Sequence, residues 1–95
     1  MFARVTPYKM KPGTRDDAMA LMEQLRSKIM GMPGMHNFIN VMSEDGSGYV
    51  ISVVESEAAS NANAETVKSL WAEFAPMLEA MPVPEGYDVM ANWTN

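Results

Sequence analysis

The stretch Met35–Glu55, MHNFINVMSEDGSGYVISVVE, decides how the rest of the chain is read. Two strand-like runs flank the loop SEDGSG, where Asp45-Gly46 and Gly48 tolerate the positive φ that a strand reversal needs. The second arm, Tyr49 to Val54, is apolar everywhere except Ser52, which is the composition of a strand buried on both faces. A chain of 95 residues has helices enough to cover one face of such a sheet. The other face calls for a second copy of the protein.

Working outward, Phe2 to Met10 reads as a first strand with Phe2, Arg4, Thr6, Tyr8 and Met10 on one side. Pro7 has no N–H to give, so a bulge or a locally unpaired edge is expected there. Lys11-Pro12-Gly13 turns the chain, and Thr14 with Asp17 resembles a capping box. Ala18, Leu21, Met22, Leu25 and Ile29 then recur at helical spacing until Gly31 and Pro33-Gly34 end the helix. Beyond the hairpin, Ser56 caps a short turn. Asn63 caps a longer helix carrying Val67, Leu70, Trp71, Phe74 and Leu78 on one stripe. Pro76 should kink or break that helix about a turn earlier. Tyr87 to Trp93 alternates as a last strand.

The order β-α-β-β-α-β predicts one α+β domain over residues 1–95. It is the ferredoxin-like split βαβ, a four-stranded antiparallel sheet with both helices on one face. Ile51 and Val53 fall on the bare face, where two copies would close a dimeric α/β barrel as a homodimer.

Composition excludes several classes of function. The net charge of −5 with scattered basic residues argues against nucleic acid and anionic membranes as partners. There is no cysteine, hence no disulfide, thiolate nucleophile or cysteine metal site. One histidine without clustered carboxylates is no metal signature. Neither a membrane-spanning run nor a signal peptide is visible, so a cytoplasmic protein is expected. Of the eleven methionines, Met19, Met22, Met30, Met77 and Met81 fall in helical apolar patterns, which places most of them in the core. The alternative is a cavity that reshapes around an apolar ligand.

The segments ARVTPYKMKPG, MPGMHNFINV, GSGYVISVVES and GYDVMANW resemble the antibiotic biosynthesis monooxygenase (ABM) family of dimeric α/β barrels. The resemblance spans nearly the whole chain and rests on turns and strand ends. It implies one pocket per subunit between sheet and helices. Members of the family include cofactor-free oxygenases of aromatic polyketide quinols, heme-degrading monooxygenases and many chains of unknown role. The heme-degrading branch carries an asparagine on the first strand, a tryptophan ending the third, and a histidine on the second helix. The matching places here hold Thr6, Val54 and no histidine, so heme degradation is disfavoured and no cofactor is expected.

Candidate site residues follow from strand phase. Arg4 could hold a phenolate or carboxylate, although an ion pair with Glu55, Glu73 or another acid is its commoner fate. Thr6 and Tyr8 share its face, and Tyr8 could donate its hydroxyl to a ligand or serve as amphipathic core. His36 shares a phase with Phe38 and Asn40 and could take a proton from an acidic phenol; otherwise it is an exposed strand-end histidine. Trp71 falls in the helical stripe as a core residue, or could wall the cavity with its indole N–H on a ligand oxygen. Two functions therefore stay open. One is a cofactor-independent monooxygenase with His36 and Arg4 as catalytic groups and Thr6, Tyr8, Asn40 and Trp71 binding a small aromatic substrate. The other is a non-catalytic dimeric barrel that binds a small apolar or aromatic ligand, or nothing at all.

Overall fold

The computed structural model describes residues 1–95. Four strands and three helices follow in the order β1 (Phe2–Lys9), α1 (Arg15–Met30), β2 (Met35–Met42), β3 (Ser47–Val54), α2 (Glu57–Ala62), α3 (Ala64–Phe74) and β4 (Glu85–Asp88). The sheet is antiparallel throughout, in the order β2-β3-β1-β4. This is the split βαβ arrangement the sequence predicts.

Register assigns the two faces. Phe2, Arg4, Thr6 and Tyr8 stand opposite Val54, Ser52, Val50 and Gly48, and this face meets the helices. Ala3, Val5 and Pro7 stand opposite Val53, Ile51 and Tyr49 on the outer face. Pro7 is regularly paired with β3 but lies beyond Val5↔Glu85, the last rung shared with β4. It therefore sits where β1 is an edge, and no bulge is needed.

The turn between β2 and β3 uses its two glycines differently. Gly46 takes φ +89°, as a reversal requires. Gly48 does not. It is required by close approach instead, because a Cβ there would collide with the carbonyl oxygen of Val41 and stand 2.6 Å from Tyr8 Oη.

Several local expectations are corrected. Thr14 occupies the N-cap of α1 without capping it, because its hydroxyl donates back to the Lys11 carbonyl at 2.7 Å. Asn63 precedes α3 but its side-chain amide donates to the Pro33 carbonyl at 2.9 Å, tying the loop before β2 to the α2–α3 junction. Ser56 does cap α2, accepting from Ala59 N at 3.1 Å. The α3 helix ends at Phe74, and Pro76 lies in a following 3₁₀ turn, Ala75–Met77. Met19, Met30 and Met81 are exposed rather than core, while Met10 and Met32 are buried.

The last strand covers Glu85–Asp88, not Tyr87 to Trp93. Beyond it, Val89 N donates to the Met1 carbonyl at 3.1 Å and Asn92 donates to Asn37 of β2 at 3.2 Å. The tail thus runs across the sheet rather than along its edge. Trp93 is 92% exposed and seals nothing within the chain.

The core between sheet and helices is divided. One buried cluster comprises Tyr8, Met10, Ala18, Val50 and Leu78; the other comprises Leu25, Ile29, Met32 and Leu70. Phe38 and Phe74 pack against both. What lies between the clusters is a cavity.

Candidate functional site

The cavity has a volume of about 70 Å³ and is walled by fifteen residues, eleven of them apolar. Both clusters contribute: Tyr8, Met10 and Val50 from one, Ile29, Met32 and Leu70 from the other. The polar groups are few and come mostly from the sheet: Arg4, Thr6 and Tyr8 of β1, Asn40 of β2 and Ser52 of β3. An apolar chamber with a small number of placed polar groups is the ordinary form of a small-molecule site.

At one end stands Arg4. Its Nε donates to Ser60 Oγ at 2.8 Å and its Nη2 to Asn61 Oδ1 at 3.3 Å, both on α2. The expected ion pair with Glu55 or Glu73 is absent, since the only ion pairs in the molecule are Lys9–Asp45 and Arg26–Glu23. The geometric reason is that α2 approaches β1 with neutral side chains, Ser60 and Asn61, where a carboxylate would have to stand. A guanidinium has five N–H donors, so this one keeps donors in reserve. Ser52 is its direct cross-strand neighbour and Thr6 the next residue on the same face. Thr6 is only 2% exposed, yet its hydroxyl is not sealed from the cavity it lines.

At the other end Tyr8 Oη donates to Asn40 Oδ1 at 2.6 Å, with the Val41 carbonyl 3.1 Å away. Burial pushes the Tyr8 pKa above its usual value of 10.0, against the opposing pull of the Arg15 charge and the Asn40 hydrogen bond. The hydroxyl is therefore a neutral donor across the physiological range and not a base. Trp71 packs on the Tyr8 ring with centroids 5.9 Å apart, and Phe74 continues the row at 6.2 Å from Trp71. Asn40 Nδ2 in turn donates to Met22 Sδ at 3.2 Å, which links β2 to α1 at the rim.

Of the residues singled out from the sequence, Arg4, Thr6, Tyr8, Asn40 and Trp71 all line the cavity. His36 does not. It is exposed and borders a separate surface depression. The cause is a bulge: β2 pairs Met35 with Val54 and then Asn37 with Val53, leaving His36 as the extra residue. An inserted residue breaks the alternation, so His36 loses the phase that Phe38 and Asn40 keep. Ser52 and the methionines Met10, Met22 and Met32 of the lining, with Ser60 as the partner of Arg4, are the residues sequence reasoning missed. The cross-strand rung Arg4↔Ser52 is the signal that would have found the first of them. No group of three or more histidine, aspartate or glutamate side chains could hold a metal ion.

The architecture is shared with solved structures. A candidate antibiotic biosynthesis monooxygenase from Nitrosomonas europaea aligns with a TM-score of 0.78 at 13% identity, covering 96% of this chain and 100% of its own. A second one, from Caulobacter crescentus, aligns at 0.77 and 20% identity over 95% and 90% of the two chains. A protein of unknown function from Nitrosomonas europaea aligns at 0.80 and 17% identity, over 99% and 93%. At such identities the likeness is one of fold, and the fold is the one the sequence resemblance implies. No family model and no curated protein matches the chain.

Proposed function

Proceeding from that shared fold, we propose that the protein is a cofactor-independent monooxygenase acting on a small phenol- or quinol-type aromatic, one cavity per subunit of a homodimer. The observation that carries the reading is Arg4, a part-buried cation with no carboxylate partner in a chamber whose other polar groups are all neutral. Such a charge favours an anionic ligand. The aromatic row of Tyr8, Trp71 and Phe74 suits a ring beside it.

In this reading the substrate supplies the acidity. The cavity holds no carboxylate and no histidine, and Tyr8 stays protonated, so the proton leaves to water while Arg4 stabilises the ring anion. Tyr8 donates to a ring oxygen and fixes its orientation. The electron-rich carbon passes electrons to dioxygen, a C–O bond forms, and the O–O bond breaks with loss of water. An activated CH₂ plus O₂ thus gives C=O plus H₂O, with one oxygen atom in each product.

The test is consumption of an anthrone- or hydroquinone-type substrate by purified protein, at a rate that chelators leave unchanged. Replacing Arg4 by Ala should slow turnover about ten- to a hundredfold, the scale of one charge-assisted hydrogen bond. His36→Ala should alter it less than about twofold, since His36 lies outside the cavity. A second reading, a binding module without catalysis, is favoured by the absence of any base among the lining residues. It prevails if no such substrate is consumed faster with protein than without.

A further inference from the structure

Met22, Ile29 and Phe38 line the cavity and also line an open depression of about 450 Å³ that His36 borders. These three side chains are therefore the wall between the two spaces. Two of them are fixed: Ile29 is buried in one core cluster, and Phe38 packs against both. Met22 is different. It packs against only one of the clusters, is half-buried and unbranched, and is held at its tip by the weak hydrogen bond from Asn40 Nδ2 to sulfur.

We infer that Met22 is a movable partition, and that cavity and depression are two compartments of one site for a fused-ring aromatic anion. The inference rests on the proposed role of the cavity as the ligand site. Size supports it first. The inner space of about 70 Å³ is below the roughly 150 Å³ of a cavity that takes up benzene. A single ring requires some yielding of the wall, and fused rings require an opening. The thioether is the segment of the wall that yields by bond rotation alone.

Hydrogen bonding supports it next. When Met22 swings away, Asn40 keeps its bond from Tyr8 through Oδ1, and its Nδ2 becomes a free donor at the mouth of the combined space. The outer compartment then adds the side chains of His36 and of Arg26, the latter 3.9 Å from the Glu23 carboxylate that also lines it, beside the part of the ligand that stays outside. Met22 is on this account a specificity-determining residue. It separates one-ring ligands, which the inner compartment accommodates, from larger ones that need both.

Two anionic aromatic probes of different size test this on the full chain: para-nitrophenol, followed by absorbance, and anilinonaphthalene sulfonate, followed by fluorescence. Met22→Ile places a stiff branched side chain in the wall. It should weaken the fused-ring probe about tenfold and the one-ring probe by a clearly smaller factor. Met22→Ala should bind the fused-ring probe more tightly than the parent chain, and para-nitrophenol should compete with it. If both variants bind the fused-ring probe with unchanged affinity and association rate, the partition is overturned, and binding of para-nitrophenol still upholds the cavity. If neither probe binds any form of the chain, both readings fall together.

Discussion

Single side chains set the chemistry of this molecule, and Gly48 shows how closely. Its missing Cβ makes the space in which the Tyr8 hydroxyl reaches Asn40 across β3. The obstructing oxygen of Val41 is backbone and cannot turn aside. Gly48→Ala should therefore lower stability by about 2 to 3 kcal/mol, the usual cost of overpacking, measured as a reduced urea midpoint. Tyr8 itself makes a pH prediction. Burial raises its pKa, so the folded protein holds the proton more tightly than the unfolded chain. That contribution is complete below pH 10.0 and is lost as pH rises through the folded-state value. Tyr87 acts in the same direction, through its hydrogen bond to Glu85 and the charge of that carboxylate. Alkaline unfolding curves of Tyr8→Phe should show a shallower fall with pH than those of the parent chain. Tyr87→Phe is the control that separates the two contributions.

At the level of elements, the β2–β3 turn is held by one carboxylate. Asp45 accepts from Ser47 N at 2.9 Å, from the hydroxyls of Ser43 and Ser47, and pairs with Lys9 Nζ at 3.4 Å. The backbone N–H of Ser47, then the two hydroxyls, lower its pKa to about 2. A depressed carboxyl stabilises the fold above its ordinary pKa of 3.8, and that contribution disappears as pH falls toward about 2. Asp45→Asn should thus lower the thermal midpoint near neutrality and flatten its dependence on pH across that acid interval. This turn was legible in the sequence because Asp45-Gly46 is local chemistry. So was the inward face of β1, where Arg4, Thr6 and Tyr8 keep a strict alternation. The bulge at His36 was not legible, since an inserted residue leaves no mark on a two-residue period. Nor was the end of β4: Tyr87, Val89, Ala91 and Trp93 alternate correctly, but the tail leaves the edge to reach Asn37. Thr14 and Asn63 were misread for a related reason. Each found a partner outside its helix, and capping patterns describe only partners within it.

At the scale of the whole molecule, the outer face of the sheet shapes the remaining expectations. Ile39, Val41, Tyr49 and Tyr87 are each about half exposed, with Val5 and Ile51 between them. An apolar face of this kind on so small a domain favours self-association. Sedimentation should return twice the chain mass of 10.5 kDa at micromolar concentration. Ile39→Asp should shift the protein toward monomer without emptying the cavity, which lies on the opposite face. The chain also carries its own optical division of labour. Its two tryptophans stand on opposite sides of the sheet's business: Trp71 in the cavity wall, Trp93 on the tail beyond β4. The half-buried indole emits from a largely apolar setting and the exposed one from water, so iodide should quench the emission in two distinct phases. Ligand should perturb the blue component, and any partner that covers the tail should protect the red one. Occupancy and contact at the tail can thus be read from one unlabelled sample, by colour.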